Sequence, residues 1–241
     1  MIHIEQSDFH DQLVRGLTHK MNNILSLFHG YLGLLIEDKK LDRVTLDGLS
    51  AIRKGADEAS ELMDRTKAFA KPSSTVWRQV KMVDFLRMMI PSLESFTERG
   101  ITLEFHFEET LPELLVDAAR LRTAVIEIVR NACEASPDGG VVEISAHAES
   151  HLPRPKPGTG NNNAAHPITW IVLTVSDQGA GIAPEIEKKI FQPFFSTKHK
   201  KNAMGLGLSV AQGLVQGLGG VIRFHSSAGK TTFRLLLPSQ E

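Results

Sequence analysis

Two short glycine-containing segments constrain this chain more than any other feature. The first, DQGAG at Asp177–Gly181, follows an apolar run that ends at Val175, and the second, GLGL at Gly205–Leu208, opens a helical pattern. An acidic residue at a strand end can accept a hydrogen bond from the amino group of adenine, and glycine lets backbone approach a ligand closely. The first N–H groups of a helix form an anion site. Together the segments predict one nucleotide pocket.

Composition excludes several classes of protein. The chain has 241 residues, 41% apolar residues and a net charge of −1, so it offers no basic field for nucleic acid or an anionic membrane. No apolar run approaches the ~20 residues that span a bilayer, and the first ten residues are too polar for a secretion signal. The single cysteine, Cys133, is typical of a reducing compartment, and we expect it to pack inside a helix. We therefore expect a cytoplasmic protein with no membrane insertion and no nucleic-acid partner.

Heptad-like spacing predicts two long helices at the N-terminus, over residues 8–38 and 44–70. A proline and polar residues at Lys71–Thr75 then mark a boundary, so we expect a helical domain over residues 1–71 and a second domain over residues 76–241. The apolar positions of the first helix recur at steps of three and four: Leu13, Leu17, Met21, Ile24, Phe28, Tyr31 and Leu35.

Two antiparallel helices with such stripes do not bury them alone. Dimerisation into a four-helix bundle would cover the stripes, and so would packing of the hairpin on its own C-terminal domain. We expect the homodimer.

The remainder of the chain alternates helical and strand patterns without regular βαβ repeats, which favours a two-layer α/β sandwich and an α+β fold class for the whole chain. We predict helices over residues 83–98, 118–135 and 206–218. We predict strands over 76–80, 101–107, 141–148, 168–175, 221–225 and 231–237. The Pro-, Gly- and Asn-rich stretch His151–Pro167 is expected to be a solvent-exposed insertion.

The helix predicted over 118–135 carries two oxygen-bearing side chains one turn apart. Glu127 and Asn131 are four residues apart and share a helix face. Carboxylate and amide oxygens are ligands that Mg²⁺ prefers, although a solvated polar face has the same pattern. Arg130 and Glu134 are expected at the surface. An aromatic–proline segment, Phe191–Phe195, follows the first glycine segment.

In this order, the motifs resemble those of sensor histidine kinases, whose ATP-binding domain is shared with gyrase, Hsp90 and MutL. Glu127–Asn131 resembles the N box, Asp177–Gly181 the G1 box, Phe191–Phe195 the F box and Gly205–Leu208 the G2 box. The N-terminal hairpin resembles the dimerisation and histidine-phosphotransfer domain, with Leu17–Ile24 in the place of the H box.

The resemblance implies ATP-dependent autophosphorylation of His19 and transfer of the phosphoryl group to an aspartate of a response regulator. It implies catalytic roles for His19, Asn23 and Glu127, with ATP and Mg²⁺ as cofactors and Glu127 and Asn131 as metal ligands. Only about ten residues precede the first helix, so we expect the signal to come from a separate sensor protein, unless the chain is a fragment. The implied nucleotide-binding residues are Asn131, Asp177, Gly179, Gly181, Phe195, Gly205, Leu206, Gly207 and Leu208.

Two features depart from the family pattern: Ala203-Met204, in the G2 region, replaces a glycine that many members carry, and Lys20 changes the residue after the histidine. Lys20 stands where most members carry an acid directly after the histidine, and a lysine cannot accept the imidazole proton. This departure motivates two alternatives: a protein that mainly dephosphorylates its regulator through Asn23, and a phosphotransfer protein with weak kinase activity.

Overall fold

A computed structural model describes residues 2–36, 41–69, 76–150, 169–197 and 205–239. The chain divides into two compact units, the N-terminal helical hairpin and a mixed α/β part. The predicted end of the first domain, 71, falls within residues 70–75, which lie outside the described residues, and the predicted start of the second, 76, comes directly after them. Those exact limits therefore stay a prediction.

The hairpin consists of α1 (Ile2–Ile36) and α2 (Arg43–Phe69). Where side chains of α1 are described, the face that packs on α2 carries Thr18, Leu25 and Leu32, all nearly inaccessible to solvent. These residues recur at a spacing of seven, which keeps them on one helix face. The predicted helical hairpin is confirmed. The face of α1 that packs on α2 is, however, a different one from the apolar stripe noted in the sequence.

The apolar stripe that the sequence singled out lies on another face of α1. Five of its residues are exposed, each with 39% to 67% of its surface accessible to solvent: Met21, Ile24, Phe28, Tyr31 and Leu35. A continuous exposed apolar row of this size marks an interaction surface. The hairpin therefore buries one face by itself and leaves a second for another surface.

The α/β part contains two sheets and three helices. A two-stranded antiparallel sheet joins β1 (Arg78–Lys81) to β3 (Glu113–Val116), and a five-stranded sheet has the order β2-β4-β5-β7-β6. The other strands are β2 (Thr102–Phe107), β4 (Val141–Glu149), β5 (Trp170–Asp177), β6 (Val221–Ser227) and β7 (Lys230–Pro238). The helices are α3 (Met82–Glu94), α4 (Ala118–Ala135) and α5 (Gly207–Gly217).

Helices cover the large sheet in a second layer: α4 packs on β4 and β5, and α5 packs on β6 and on α4. The strands alternate accordingly, with Ile144, Leu173 and Leu235 fully buried. The central strand β5 is apolar on both faces, because Trp170 and Val172 form a separate buried cluster with Leu236. This architecture confirms the predicted α+β class and the two-layer sandwich.

Three details differ from the sequence-based prediction, the first being that α3 ends at Glu94 and does not reach residue 98. Strand β3 was not predicted, because its four residues, Glu113–Val116, are too few to show alternation. Strand β5 continues to Asp177, so this aspartate is the last paired residue of the strand and does not follow the strand. The insertion predicted at His151–Pro167 lies outside the described residues. Within the described ranges, no helix is both long and apolar enough to span a membrane.

A histidine joins the two helices of the hairpin. His29 Nε2 lies 2.7 Å from Asp57 Oδ1 on α2, and His29 Nδ1 lies 2.7 Å from the carbonyl oxygen of Leu25. Both partners are acceptors, so both ring nitrogens must donate, which suits the imidazolium form. The Asp57 carboxylate, followed by the Leu25 carbonyl, raises the pKa of His29 above its ordinary value.

We expect the substitution Asp57→Asn to destabilise the hairpin in a pH-dependent way. A raised folded-state pKa contributes stability that is present below the unfolded pKa and is lost as pH rises through the folded one. The melting temperature should therefore fall relative to wild type at about pH 6, and the difference should shrink at about pH 9.

Circular dichroism of the full chain at both pH values measures this difference. Asp47→Asn, which changes an exposed carboxylate on the same helix, is the matched control. Its melting temperature should equal that of wild type at both pH values. An equal deficit for Asp57→Asn at both pH values would contradict the assignment.

Candidate nucleotide site

The site is organised around a buried carboxylate at the end of the central strand. Asp177 is only 1% exposed and pairs with Thr231 of β7 in the strand register. Its Oδ1 atom accepts the backbone N–H of Gly179 at 2.9 Å. Because a buried charge is costly unless hydrogen-bonded, this bond explains how Asp177 is accommodated at the strand end and why the chain turns directly after it.

Two glycines bring that turn against the rest of the domain. A Cβ atom on Gly179 would lie 2.7 Å from the carbonyl oxygen of Ala135 at the end of α4. Gly181 has a φ of +88°, and a Cβ there would overlap the carbonyl of Ser227 at the end of β6. The loop after β5 is therefore held between α4 and β6 at distances that only glycine permits.

A hydroxyl that the motif analysis missed fixes the same loop. Ser226 Oγ accepts the backbone N–H of Ile182 at 2.8 Å and shares a hydrogen bond of 3.0 Å with Thr231 Oγ1. Ser226 lies in β6, far from Asp177–Gly181 in sequence and in no recognisable motif. Only the strand pairing of β6 with β7 places it here.

The aromatic segment is anchored by its first residue and meets the second glycine motif at its last. Phe191 makes edge contacts with Phe224 and Phe233, at ring-centroid distances of 6.0 and 6.4 Å. Gly205 has a φ of +64°, and a Cβ there would lie 2.5 Å from the carbonyl oxygen of Phe195. The structure thus brings Phe195, which is half-buried, next to Gly205, while residues 198–204 lie outside the described residues.

Helix α5 begins at this contact. Its N-cap residue, Leu206, is buried and supplies no side-chain cap, and Ser209 Oγ donates to the Leu206 carbonyl at 2.8 Å. The amides of the first turn, including those of Gly207 and Leu208, are the groups that a helix start offers to an anion. The predicted anion site is therefore built as a helix N-terminus beside Phe195.

Glu127 connects α4 to the start of α5. Its side chain is on α4 and the residue is only 6% exposed. A Cβ on Gly207 would lie 2.7 Å from Glu127 Oε2, so the carboxylate faces the start of α5 directly. Asn131 follows one turn later on α4 and is half-buried.

The donor set of Glu127 and Asn131 fits Mg²⁺. Mg²⁺ takes few protein oxygens and completes its shell with water and substrate phosphate. The described part of the chain contains no cluster of three or more His, Cys, Asp or Glu side chains that would form a metal cage by itself. A carboxylate at the start of α5 and an amide one turn further along α4 are oxygen ligands of the kind that such a shared site uses.

Arg130 is not the surface residue that the sequence suggested. Its side chain is 22% exposed, with Nη1 lying 3.5 Å from Glu127 Oε1. The guanidinium carbon lies 5.1 Å from the centre of the Phe96 ring. The reason the prediction was wrong is tertiary: Phe96 follows α3, and no local pattern on α4 signals it. Glu134 is exposed, as predicted.

The remaining predicted site residues belong to the other unit. His19 and Asn23 both lie in α1. The position of the His19 side chain is outside what the structure describes. Asn23 and Lys20 are exposed, so the residues near His19 in sequence include an accessible amide and an accessible cation.

The single cysteine takes no part in this chemistry. Cys133 is buried in α4, and burial, followed by the charge of Glu134, raises the pKa of its thiol to about 11. A thiol with this pKa is protonated near neutral pH and is a poor nucleophile. The expected structural role of Cys133 agrees with its position.

A sheet covered by helices on one side, with a buried strand-end aspartate and glycine loops between helix ends, defines the ATP-binding domain type shared by histidine kinases, gyrase and Hsp90. Residues 116–241 match the family model described as Histidine kinase-, DNA gyrase B-, and HSP90-like ATPase. The chain belongs to this family, as its motifs predicted.

Similarity to individual proteins extends into the hairpin. The chain is 26% identical over 228 residues to the sensor kinase CckA of Brucella abortus (strain 2308), covering 94% of this chain and 24% of that protein. It is 29% identical over 229 residues to the sensory histidine kinase/phosphatase NtrB of Vibrio alginolyticus, covering 94% and 61%. The chain therefore spans only part of the length of these curated relatives.

Among solved structures, the crystal structure of full-length ShkA in complex with AMPPNP superimposes with a TM-score of 0.71 at 21% sequence identity. The match covers 95% of this chain and 46% of that one. At this identity the likeness concerns the fold.

The contact of Gly181 with Ser227 predicts a measurable difference between two glycines. Gly229 has a similar φ of +85° but open space around its Cβ position. Gly229→Ala should lower the free energy of unfolding by about 1 kcal/mol, the cost of left-handed backbone for a residue with a Cβ atom. Gly181→Ala should cost about 3 kcal/mol or more, because the methyl group also displaces a strand carbonyl.

Urea unfolding of the two variants without nucleotide separates the two costs. Equal losses for both substitutions would show that the loop after β5 is not pressed against β6.

Proposed function

We propose that this chain is the core of a two-component histidine kinase that uses ATP to phosphorylate its own His19. The observation that carries the proposal is the arrangement around Asp177: a buried carboxylate, held by Gly179, beside the ends of α4 and β6. A second arrangement, Glu127 against the start of α5, lies in the same domain. Membership of the ATPase family and relatives named as sensor kinases support it.

Each end of the nucleotide has a matching group. The buried carboxylate of Asp177 accepts the adenine amino group, and the loop that Gly179 and Gly181 hold against α4 and β6 would line the space for the base and sugar. Phe195 lies beside Gly205 at the phosphate end, where amides of Gly205, Leu206, Gly207 and Leu208 would surround the phosphates. Glu127 and Asn131 would hold Mg²⁺, which neutralises phosphate charge when bound.

The chemical step forms one bond and breaks one. A neutral imidazole nitrogen of His19 attacks the γ-phosphorus, the bond from that phosphorus to the bridging oxygen breaks, and ADP leaves. In this step Glu127 would accept the imidazole proton or orient a water that does so. The phosphoryl group then passes from His19 to an aspartate of a response-regulator receiver domain.

Asn23 adds a second reaction to the same protein. It lies one helical turn after His19 and is exposed. An amide there can orient water for hydrolysis of the phosphoaspartate on the regulator. We regard this as a companion activity, because the groups expected to hold nucleotide are all present.

A homodimer is the expected assembly. The exposed row Met21, Ile24, Phe28, Tyr31 and Leu35 on α1 has the spacing that packs against a second hairpin to complete a four-helix bundle.

Incubation of the full chain with radiolabelled ATP and Mg²⁺ tests the kinase reaction. Wild type should acquire an acid-labile, base-stable label, as a phosphorylated histidine does, and His19→Gln should stay at background. His29→Gln, which removes another histidine of the same helix, is the matched control and should label. Label that survives in His19→Gln, or an unlabelled wild type, would refute the assignment of His19.

Nucleotide binding is tested separately with Asp177→Asn, which keeps an oxygen to accept the Gly179 N–H but removes the carboxylate. A charge-assisted hydrogen bond contributes about 1.5–3 kcal/mol, so ATP affinity should fall by about tenfold to a hundredfold. Preference for ATP over GTP should fall with it. Calorimetric titration measures both, with the exposed Asp84→Asn as control, and an unchanged ATP affinity would remove Asp177 from the adenine site.

A further inference from the structure

Arg130 forms a bridge that the family motifs do not account for. It stands one turn after Glu127 on α4, with its Nη1 atom 3.5 Å from Glu127 Oε1. Both side chains are largely buried, with 22% and 7% of their surface exposed. Such a pair is screened less by solvent than one at the surface. The attraction of the Arg130 guanidinium therefore constrains the orientation of the Glu127 carboxylate.

The guanidinium is itself held from the opposite side. Its central carbon lies 5.1 Å from the centre of the Phe96 ring, within the range of a cation–π contact. Phe96 lies two residues after the end of α3, and its backbone N–H donates to the Leu93 carbonyl at 3.0 Å. The ring position is therefore tied to the end of α3, and Arg130 joins that helix end to Glu127.

The second oxygen of Glu127 points the other way. Oε2 lies 2.7 Å from where a Cβ of Gly207 would be, so only a glycine leaves this oxygen open to the start of α5. One carboxylate oxygen thus faces Arg130, and the other faces the helix N-terminus where phosphates are expected. Both contacts constrain the orientation of the Glu127 carboxylate.

We propose that Arg130 is a positioning residue for phosphoryl transfer: stacked on Phe96, it fixes the Glu127 carboxylate so that its other oxygen faces the phosphate end of the site. This inference rests on the role proposed above for Glu127. Arg130 acts through Glu127 and does not need to touch the nucleotide. A planar, forked cation is required, because it must stack and pair at the same time, which a lysine cannot do.

Four variants of the full chain test the proposal: Arg130→Met, Arg130→Lys and Phe96→Leu, with Arg122→Met as a control that removes another arginine from α4. Autophosphorylation kcat should fall by about tenfold or more for Arg130→Met, while the affinity for ATP changes by less than about threefold. Arg130→Lys and Phe96→Leu should lie between that variant and wild type, and Arg122→Met should match wild type.

A double-mutant cycle distinguishes positioning from independent contributions. If Arg130 acts through Glu127, then adding Arg130→Met to Glu127→Gln should cause no further loss of kcat. Losses that multiply, or an ATP affinity that falls while kcat is unchanged, would overturn the proposal. The second result would place Arg130 on the phosphates instead.

A readout without nucleotide keeps this test separate from the kinase assignment. In urea unfolding of the same four proteins of the cycle, the unfolding constants should be coupled by about fivefold or more. Absence of coupling would overturn the role of Arg130 even if wild type labels normally. An unlabelled wild type with intact coupling would refute the kinase proposal and leave the Phe96–Arg130–Glu127 bridge in place.

Discussion

The hydrogen bond from the Gly179 N–H to the Asp177 carboxylate is the interaction on which the rest of the site depends. It places a carboxylate at the end of a strand that is buried at every position but Thr174, and the chain turns immediately afterwards. The turn then reaches the end of α4 through Gly179 and the end of β6 through Gly181. This hydrogen bond offsets part of the cost of burying the carboxylate, and it holds the chain in the turn at this residue.

Local patterns predicted the elements well where they were long or strongly periodic. Helix α4 was predicted with the bounds that the structure has, because its apolar face repeats without interruption over five turns. The glycine segments were recognised because close approach of backbone requires glycine, which is visible in the sequence. Strand β3 and the role of Ser226 were missed for the opposite reason: four residues show no period, and a serine is marked only by its neighbours across the sheet.

Arg130 and the first helix illustrate the limit that tertiary contact imposes. Periodicity on α1 identified an apolar stripe but did not say which surface would cover it. The structure turns Thr18, Leu25 and Leu32 toward α2 and leaves Met21 and Phe28 outside. On α4, Arg130 was expected in solvent, and a phenylalanine from the end of α3 draws it inward. In both cases the missing information is the position of a segment distant in sequence.

The placement of two contacts on α4 has a consequence for how this domain tolerates change. Glu127 meets the start of α5, and Ala135 meets the loop after β5, so one helix sets the separation between the two ends of the site. Eight residues of helix amount to about 12 Å, and one residue more or fewer would rotate one end by about 100° relative to the other. Helix α4 therefore sets the distance and the angle between the proposed adenine and phosphate ends, so an insertion or a deletion between Glu127 and Ala135 would disturb both ends at once.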